Sequence, residues 1–298
     1  MTEMDNSQSS NTNIRESSLD FIPLSITENK AGNYDKYIRT SLFHIQKLKN
    51  SVLNNISLSS TSNQKNCEKY IKPNKKLLLL DLDETLIHAD FLEDLGENGT
   101  EKEYMNNKYD EIISFYTEEP NISKDNPIDN TDNNTTDEES KDDSCEKVLN
   151  KIGIFLRPKV KEFLEDISKY FEIGIFTASI PEYADAVINY LDPEEKYIKF
   201  RLYRNDCINI GDMIRVKDLQ IFGEENLNNI VILDNNIYSF SNQLSNGILV
   251  NSFFCDKADD ELSNVRKYLI EYIFPCEDVR VINEQFFGFE TILKYFAK

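Results

Sequence analysis

The sequence predicts an α/β protein built on a doubly wound parallel sheet, and three observations carry that prediction. Short apolar runs, KKLLLLDLD (75–83), EIGIFTAS (172–179) and NIVILDNN (229–236), have the length and composition of strands buried on both faces. Segments of helical spacing alternate with them, as parallel crossovers require. All three runs end in polar, chemically capable residues, where open parallel sheets place their ligands.

The elements follow in chain order. Residues 1–35 are polar and rich in Ser and Asn and predict a disordered N-terminal tail. Residues 36–72 predict a helical extension. Within it KYIRTSLFHIQKLKNSVLN places Ile38, Leu42, Ile45, Leu48 and Leu53 near helical spacing, and core packing is preferred over partner binding. The main domain, 73–298, begins with the first apolar strand and is interrupted by an acidic insertion over 90–150. Residues 90–147 hold 19 Asp plus Glu against 5 Lys, a net charge of −14. The first half, with EYMNNKYDEIISFYTEE, has enough aromatics for a strand or two. The stretch 118–147 has few apolar groups to offset its ordering entropy and is expected to be disordered. RPKVKEFLEDISKYF (157–171) reads as a helix with Pro158 at its first position and Val160, Phe163, Leu164 and Ile167 on one face. PEYADAVINYLD (181–192) reads as a second helix, KFRLYR (199–204) as a short strand, GILV (247–250) as an edge strand and DDELSNVRKYLIEYIF (259–274) as a further helix.

Composition bounds the function. The 298 residues carry 33 Lys plus Arg against 53 Asp plus Glu, a net charge of −20. That balance argues against direct nucleic-acid binding and against an anionic membrane surface. The five cysteines, Cys67, Cys145, Cys207, Cys255 and Cys276, show no C-x-x-C spacing, so neither a zinc ribbon nor a disulfide framework is expected. No apolar run is long enough to span a membrane. A soluble monomer of the nucleus or cytoplasm is the expectation.

The strongest chemical signal is Asp81-Leu82-Asp83-Glu84-Thr85 after Leu77–Leu80. Alternation along an extended chain turns Asp81 and Asp83 the same way. Two adjacent carboxylates call for a cation or a raised pKa, and a hard divalent ion such as Mg²⁺ suits oxygen ligands. One carboxylate could attack phosphorus while the other serves as general acid and base. Thr177-Ala178-Ser179 offers a hydroxyl and backbone N–H groups at a strand-to-helix turn, which suits a phosphate oxygen. Asp234-Asn235 adds oxygen donors, and Lys217 in RVKDL could offset phosphoryl charge. Each of the last three signals is weak alone: caps, turns and surface lysines have the same residues.

Together the motifs are specific. The order DxDxT, Ser/Thr, Lys, acidic pair resembles the haloacid dehalogenase superfamily of phosphotransferases. DLDETLIH, LRPKVKEFLEDI, FEIGIFTASIPEYADAV, FRLYRNDC, VKDL and NIVILDNN resemble, more narrowly, the small phosphatases of the RNA polymerase II C-terminal domain. That group is also called NLI-interacting-factor-like and includes Dullard; the resemblance runs from about Lys75 to Ile282. It implies a Mg²⁺-dependent phosphoserine/phosphothreonine protein phosphatase working through an aspartyl-phosphate, with a phosphorylated protein or peptide as partner. It implies Asp81 as nucleophile and metal ligand, and Asp83 as general acid/base with its carbonyl on the metal. Thr85 supports the loop, Thr177 and Ala178 hold the phosphoryl group, and Lys217 neutralises it. Arg204 holds the substrate phosphate, Asn235 ligates Mg²⁺ and Asp234 binds metal-bound water. Arg157 is expected to be structural, and no role falls to His88 or His44.

The chain departs from the family in two places. The insertion after the first motif is long and acidic, so the family's peptide specificity is not transferred. In VNSFFCDKADDEL, Phe253 stands where the family has Trp and Cys255 where it has Asp, which should alter packing rather than chemistry. Two rival readings stand beside the leading one: a non-catalytic binding protein like the mitochondrial presequence-receptor relatives, and a small-molecule phosphatase of the wider superfamily. The intact acids and the lack of a separate cap domain weigh against them. Mn²⁺ would accept the same ligands.

Overall fold

The computed structural model describes residues 31–53, 67–92, 108–119, 146–211 and 213–297. Residues 1–30 of the expected tail, and nearly all of the stretch 118–147, lie outside them. In chain order the elements are helix α1 (Ala31–Leu53) and strands β1 (Lys76–Leu80), β2 (Ile87–Phe91), β3 (Glu111–Glu119) and β4 (Glu146–Leu156). Helix α2 (Val160–Ile167), β5 (Phe171–Phe176), helix α3 (Pro181–Leu191), β6 (Ile198–Leu202), β7 (Ile208–Ile210) and β8 (Ile214–Val216) come next. The chain closes with β9 (Ile230–Asp234), β10 (Gly247–Leu249) and helices α4 (Glu261–Tyr268), α5 (Val279–Phe287) and α6 (Phe289–Phe296). They form two compact units, 1–89 with 155–298, and 90–154.

The first unit is built on a five-stranded sheet of order β10-β9-β1-β5-β6, every neighbouring pair parallel. The winding reverses at β1: the chain first steps outward to β5 and β6, then returns to β9 and β10 on the other side. This is the doubly wound topology, with its switch point at the central strand. Register places Leu80 opposite both Ile175 and Leu233, so β1, β5 and β9 end level with one another. One face of the sheet, with Leu77, Leu79, Ile230 and Ile232, joins a single apolar cluster with Ile38, Leu42 and Ile45 of α1 and Phe289 and Leu293 of α6. The alternate residues Leu78, Leu80, Val231 and Leu233 are equally buried, so the opposite face is covered too.

Several elements depart from their sequence-based bounds. Helix α1 starts at Ala31, inside the stretch expected as tail, because AGNYD contains no proline and extending a helix costs little once it is nucleated. Helix α2 starts at Val160 rather than at Pro158, because Lys159 is left-handed with φ 65° and interrupts the helical run. The four residues assigned to its inner face are all buried. The last predicted helix holds as α4 only to Tyr268 and widens into a π turn over Leu269–Ile273. Beyond it, α5 and α6 were not foreseen. They are joined at Gly288, whose φ of 63° supplies the left-handed C-cap that glycine adopts without strain. The described cysteines, Cys67, Cys207, Cys255 and Cys276, are free thiols. Among the described residues no helix is long and apolar enough to cross a membrane.

The second unit contains the antiparallel pair β3 and β4, running in register from Glu111 opposite Ile154 to Glu119 opposite Glu146. With β2 they form a sheet of order β2-β4-β3. Gly153 is required here: a Cβ on it would lie 2.4 Å from the Tyr109 ring. The Tyr109 hydroxyl and the Lys108 ammonium both donate to Asp90, at 2.9 and 3.0 Å.

Two predictions concern stability. Leu42 is fully buried, so Leu42→Ala should cost about 2–4 kcal/mol in urea unfolding; a loss under about 0.5 kcal/mol would mean that α1 is not part of the core. Glu261, 2% exposed, accepts the Asn251 N–H at 3.2 Å. Burial pushes its carboxyl from 4.5 up to about 7, against the pull of Arg157. Between those values the folded state holds a proton that the unfolded chain has released, so this group's contribution is full below pH 4.5 and is lost as pH rises through 7. Glu261→Gln should therefore stabilise the protein at pH 8, by on the order of 2 kcal/mol, with the gain vanishing near pH 4. Urea titrations at the two pH values measure it.

Candidate active site

The level ends of β1, β5 and β9 bring three segments together. Asp81 follows β1 directly, and its N–H extends the sheet ladder to the Leu233 carbonyl at 3.0 Å. The register that pairs Leu80 with Leu233 therefore places Asp81 beside Asp234, the last residue of β9. Both are buried, 6% and 1% exposed. Lys217, just past β8, is 1% exposed and lies between them: its ammonium donates to Asp81 Oδ1 and to Asp234 Oδ2, each at 2.6 Å. Its backbone N–H donates to the Ser239 carbonyl at 2.7 Å, which fixes the loop from which it reaches. Burial pulls the Lys217 ammonium down, but Asp234 and Asp81 more than offset this and hold it well above the ordinary lysine range. Burial pushes Asp234 up, against the pull of Lys217.

The far side of each carboxylate is also engaged. Asp234 Oδ1 accepts the Asn236 N–H at 2.7 Å, and Asp81 Oδ2 accepts the Thr85 hydroxyl at 2.9 Å. The single proton of that hydroxyl goes to Asp81 rather than to Asn235 Oδ1 at 3.4 Å, while its oxygen receives the Asn235 N–H at 3.2 Å. Thr85 thus links the first motif to the third. Asn235 also donates its side-chain N–H to Ser252 Oγ at 2.9 Å.

Asp83 is held differently. Ser179 Oγ donates to its Oδ2 at 2.6 Å and the Tyr183 hydroxyl donates to its Oδ1. Burial pushes the Asp83 carboxyl from 3.8 up to about 6; the two hydroxyls oppose this, and Asp81 and Glu84 add to it. Glu84, between the motif's acid and its threonine, is left-handed at φ 55°. It is held there by its N–H to the Ile87 carbonyl at 2.7 Å and by the Phe253 N–H on its own carbonyl at 2.8 Å. A non-glycine residue in this region carries strain, which concentrates at functional loops.

At the end of β5, the Thr177 N–H is used by the Leu202 carbonyl at 2.9 Å, and its buried hydroxyl accepts the Ser179 N–H at 3.1 Å. Of the N–H groups that the sequence offered at this turn, the one at Ala178 has no hydrogen-bond acceptor among the described residues. Arg204 is tied to the same turn, its Nε donating to the Ala178 carbonyl at 2.8 Å and its N–H to the Ser179 carbonyl at 3.0 Å, with its side chain otherwise exposed.

Asp81, Thr85, Lys217, Asp234 and Asn235 thus meet directly, and Asp83 joins the Thr177–Ser179 turn that carries Arg204. His88 lies apart, 3.3 Å from Glu84 Oε1 and packed against Phe155 and Phe254. His44 contacts the Tyr238 hydroxyl at 3.2 Å. Arg157 is fully buried and braces the motif loop. It donates to Asp259 through two nitrogens at 2.9 and 2.8 Å, to the Thr85 carbonyl at 3.0 Å and to the Asn251 carbonyl at 2.9 Å. Phe253, 2% exposed, packs its ring 5.6 Å from that guanidinium. Sequence reading missed Tyr183 and the part that Ser179 plays at Asp83. Only the position of Tyr183 in the first turn after Pro181 hinted that it faces the strand ends.

The groups that could hold a metal are hard oxygens: the Asp81 carboxylate, with the Asp83 carbonyl and the Asn235 side-chain oxygen that the resemblance implies. Among the described residues no group of three His, Cys, Asp or Glu side chains forms a metal cage. A mixed set of this kind suits an ion that keeps part of its water shell, as Mg²⁺ does. Charge points the same way. Asp81 and Asp234 share the one Lys217 ammonium, and a divalent cation would offset charge that it leaves unbalanced.

The sequence profile of the NLI interacting factor-like phosphatases matches residues 76–280, which span all the segments above. The chain belongs to this family. It is 44% identical over 124 residues to "CTD small phosphatase-like protein 2" of Dictyostelium discoideum, covering 42% of this chain and 21% of that one. It is 31% identical over 210 residues to a "Probable C-terminal domain small phosphatase" of the same organism, covering 70% and 54%. The solved structure of Fcp1, "an essential RNA polymerase II CTD phosphatase", aligns over 74% of this chain and 50% of its own at 20% identity, with a TM-score of 0.42. The chain spans between about a fifth and about half the length of the curated relatives it matches first. Helix α1 and helix α6, which pack together on the sheet, lie outside the matched segment.

Removing the brace should loosen the motif loop. Arg157→Met leaves Asp259 without its cation and two carbonyls without a donor, and should cost about 3–5 kcal/mol in urea unfolding. A loss below about 1 kcal/mol would mean that the loop is held by other contacts.

Proposed function

We propose that this chain hydrolyses phosphomonoesters on serine and threonine side chains of phosphoproteins, with Asp81 as nucleophile. The observation that carries the reading is the Asp81 carboxylate, fixed at the end of the central strand by Lys217 and Thr85, beside a second carboxylate held by hydroxyls alone. Asp81 attacks phosphorus, the bond to the serine or threonine oxygen breaks, and Asp83 gives its proton to that departing oxygen. The product is an aspartyl-phosphate on Asp81. Asp83, now a carboxylate, takes a proton from water as the water oxygen bonds to phosphorus and Asp81 is released. Lys217 offsets charge at the nucleophile. The Ala178 N–H, the Thr177 turn and Arg204 receive the phosphoryl oxygens.

Asp81, the Asp83 carbonyl and Asn235 would hold Mg²⁺ in this reading, and the ion would supply further charge neutralisation at the phosphoryl group. Asp234 already has one oxygen on Lys217 and the other on the Asn236 N–H, which supports the indirect, water-mediated role implied for it. The names of the relatives support a phosphorylated C-terminal domain as the kind of substrate, which the motif resemblance narrows to that of RNA polymerase II, and one of them names the nuclear envelope, in keeping with a nuclear or cytoplasmic setting. The phosphatase domain is taken as 73–298 with the insertion 90–150, following the helical extension 36–72.

The test is release of p-nitrophenol from p-nitrophenyl phosphate. Wild type should be active with Mg²⁺ and silent with EDTA, and Asp81→Asn should lose at least ~10³-fold in kcat with its fold intact by circular dichroism. Metal-independent turnover, or substantial activity in the variant, would reject the assignment.

A further inference from the structure

We propose that Tyr183 and Ser179 are positioning residues that aim the Asp83 carboxyl at the departing and attacking oxygens. The inference rests on the phosphatase reading and deepens it. Asp83 lies three residues beyond the last residue of β1, outside the five-stranded sheet, with a single backbone bridge to Ile87. Hydroxyls from the turn after β5 and the first turn of α3 hold its side chain, one on each carboxylate oxygen.

The two partners are not equivalent. The Tyr183 ring is buried, 6% exposed, on the inner face of α3 among Ala184, Val187 and Ile188, so its hydroxyl comes from a rigid body. A phenylalanine would fill the same space, so packing does not explain the oxygen. Ser179 sits in a partly buried turn, and its short side chain has a hydroxyl that can turn from donor to acceptor. Tyr183 is thus the fixed anchor on Oδ1. Ser179 is the partner that can release Oδ2 when that oxygen carries the proton to be transferred. The backbone is clamped as well, because Glu84 is held left-handed next door.

Atoms balance in both half-reactions. In the first, the Asp83 Oδ2–H bond breaks and an O–H bond forms on the departing serine or threonine oxygen. In the second, a water O–H bond breaks as the water oxygen bonds to phosphorus, and the proton returns to Oδ2. Tyr183 stays on Oδ1 in each.

A positioning role acting through the acid depends on the leaving group. A p-nitrophenolate departs without a proton, whereas a serine alkoxide needs one. Tyr183→Phe should therefore lower kcat/KM, which reports the leaving-group step and not the later hydrolysis of the shared aspartyl-phosphate, at least ~10-fold more on a phosphoserine peptide than on p-nitrophenyl phosphate. In an Asp83→Asn background the same substitution should add no further loss on the peptide. Ser179→Ala should show the same split, and serves if Tyr183→Phe does not fold. Equal losses in kcat/KM on both substrates, or full additivity with Asp83→Asn, would overturn the inference while leaving the phosphatase reading intact. A folded, metal-loaded wild type inactive on both substrates would overturn the two together.

Discussion

The buried ammonium of Lys217 is the interaction on which the rest of the site depends. Parallel pairing of β1 with β9 leaves no freedom in where Asp81 and Asp234 fall: the register that satisfies the backbone ladder sets two carboxylates side by side in a water-poor place. Such a pair needs a positive charge between its members or a retained proton, and a cation placed there must itself be desolvated. Lys217 meets both conditions, with 2.6 Å contacts on each side and its loop fixed by the Ser239 carbonyl. The outer oxygens are then taken up by Thr85 and by the Asn236 N–H, so neither acid is left with an orphaned lone pair facing the core. The β7–β8 hairpin, which otherwise looks like decoration on the sheet, is the element that delivers this cation.

Arg157 is the contrasting case. It too is a buried cation beside the first motif, but its partners are two main-chain carbonyls and a carboxylate from a distant loop. All of them are protein groups that stay put. A planar guanidinium with five donors suits that task, and a point charge on a flexible stem would not replace it. Lys217 faces two acids at the carboxyl ends of the strands. The two cations divide the work: one holds the loop that presents the acids, and the other, in the reading proposed above, balances charge at the reacting group.

The central strands and their reactive ends were legible because they obey local rules. Leu77–Leu80 and Ile230–Leu233 have the apolar density of doubly buried strands, and their acids follow immediately. The motif order then carried the family. What escaped was set by tertiary contacts. Tyr183 sits in PEYADAV, where its spacing with Ala184 and Val187 reads as an apolar helix face, and nothing local reveals that its hydroxyl ends on Asp83. The left-handed Lys159 moved the start of α2 because backbone conformation at a lysine has no sequence signature. Helices α5 and α6 were missed although the second carries a helical repeat, with Phe289, Ile292, Leu293 and Phe296 at i, i+3, i+4 and i+7. Only Gly288, as a C-cap, marked a boundary there.

The two acids of the first motif are chemically alike, and their surroundings separate them. Asp81 faces an ammonium, one hydroxyl and the floor of the sheet; Asp83 faces two hydroxyls, and burial pushes it up to about 6. A carboxylate kept against a cation suits the bonding role at phosphorus, where it must be present as an anion. A carboxyl whose proton is retained closer to neutrality suits the role of giving and taking that proton. The asymmetry follows from topology. Asp81 is the residue at which β1 meets β9 and so meets Lys217, whereas Asp83 has turned toward the β5–α3 connection and the first turn of α3, whose hydroxyls it accepts. A doubly wound sheet whose switch point lies at β1 has different neighbours on its two sides, and that difference is enough to assign different work to two aspartates one residue apart.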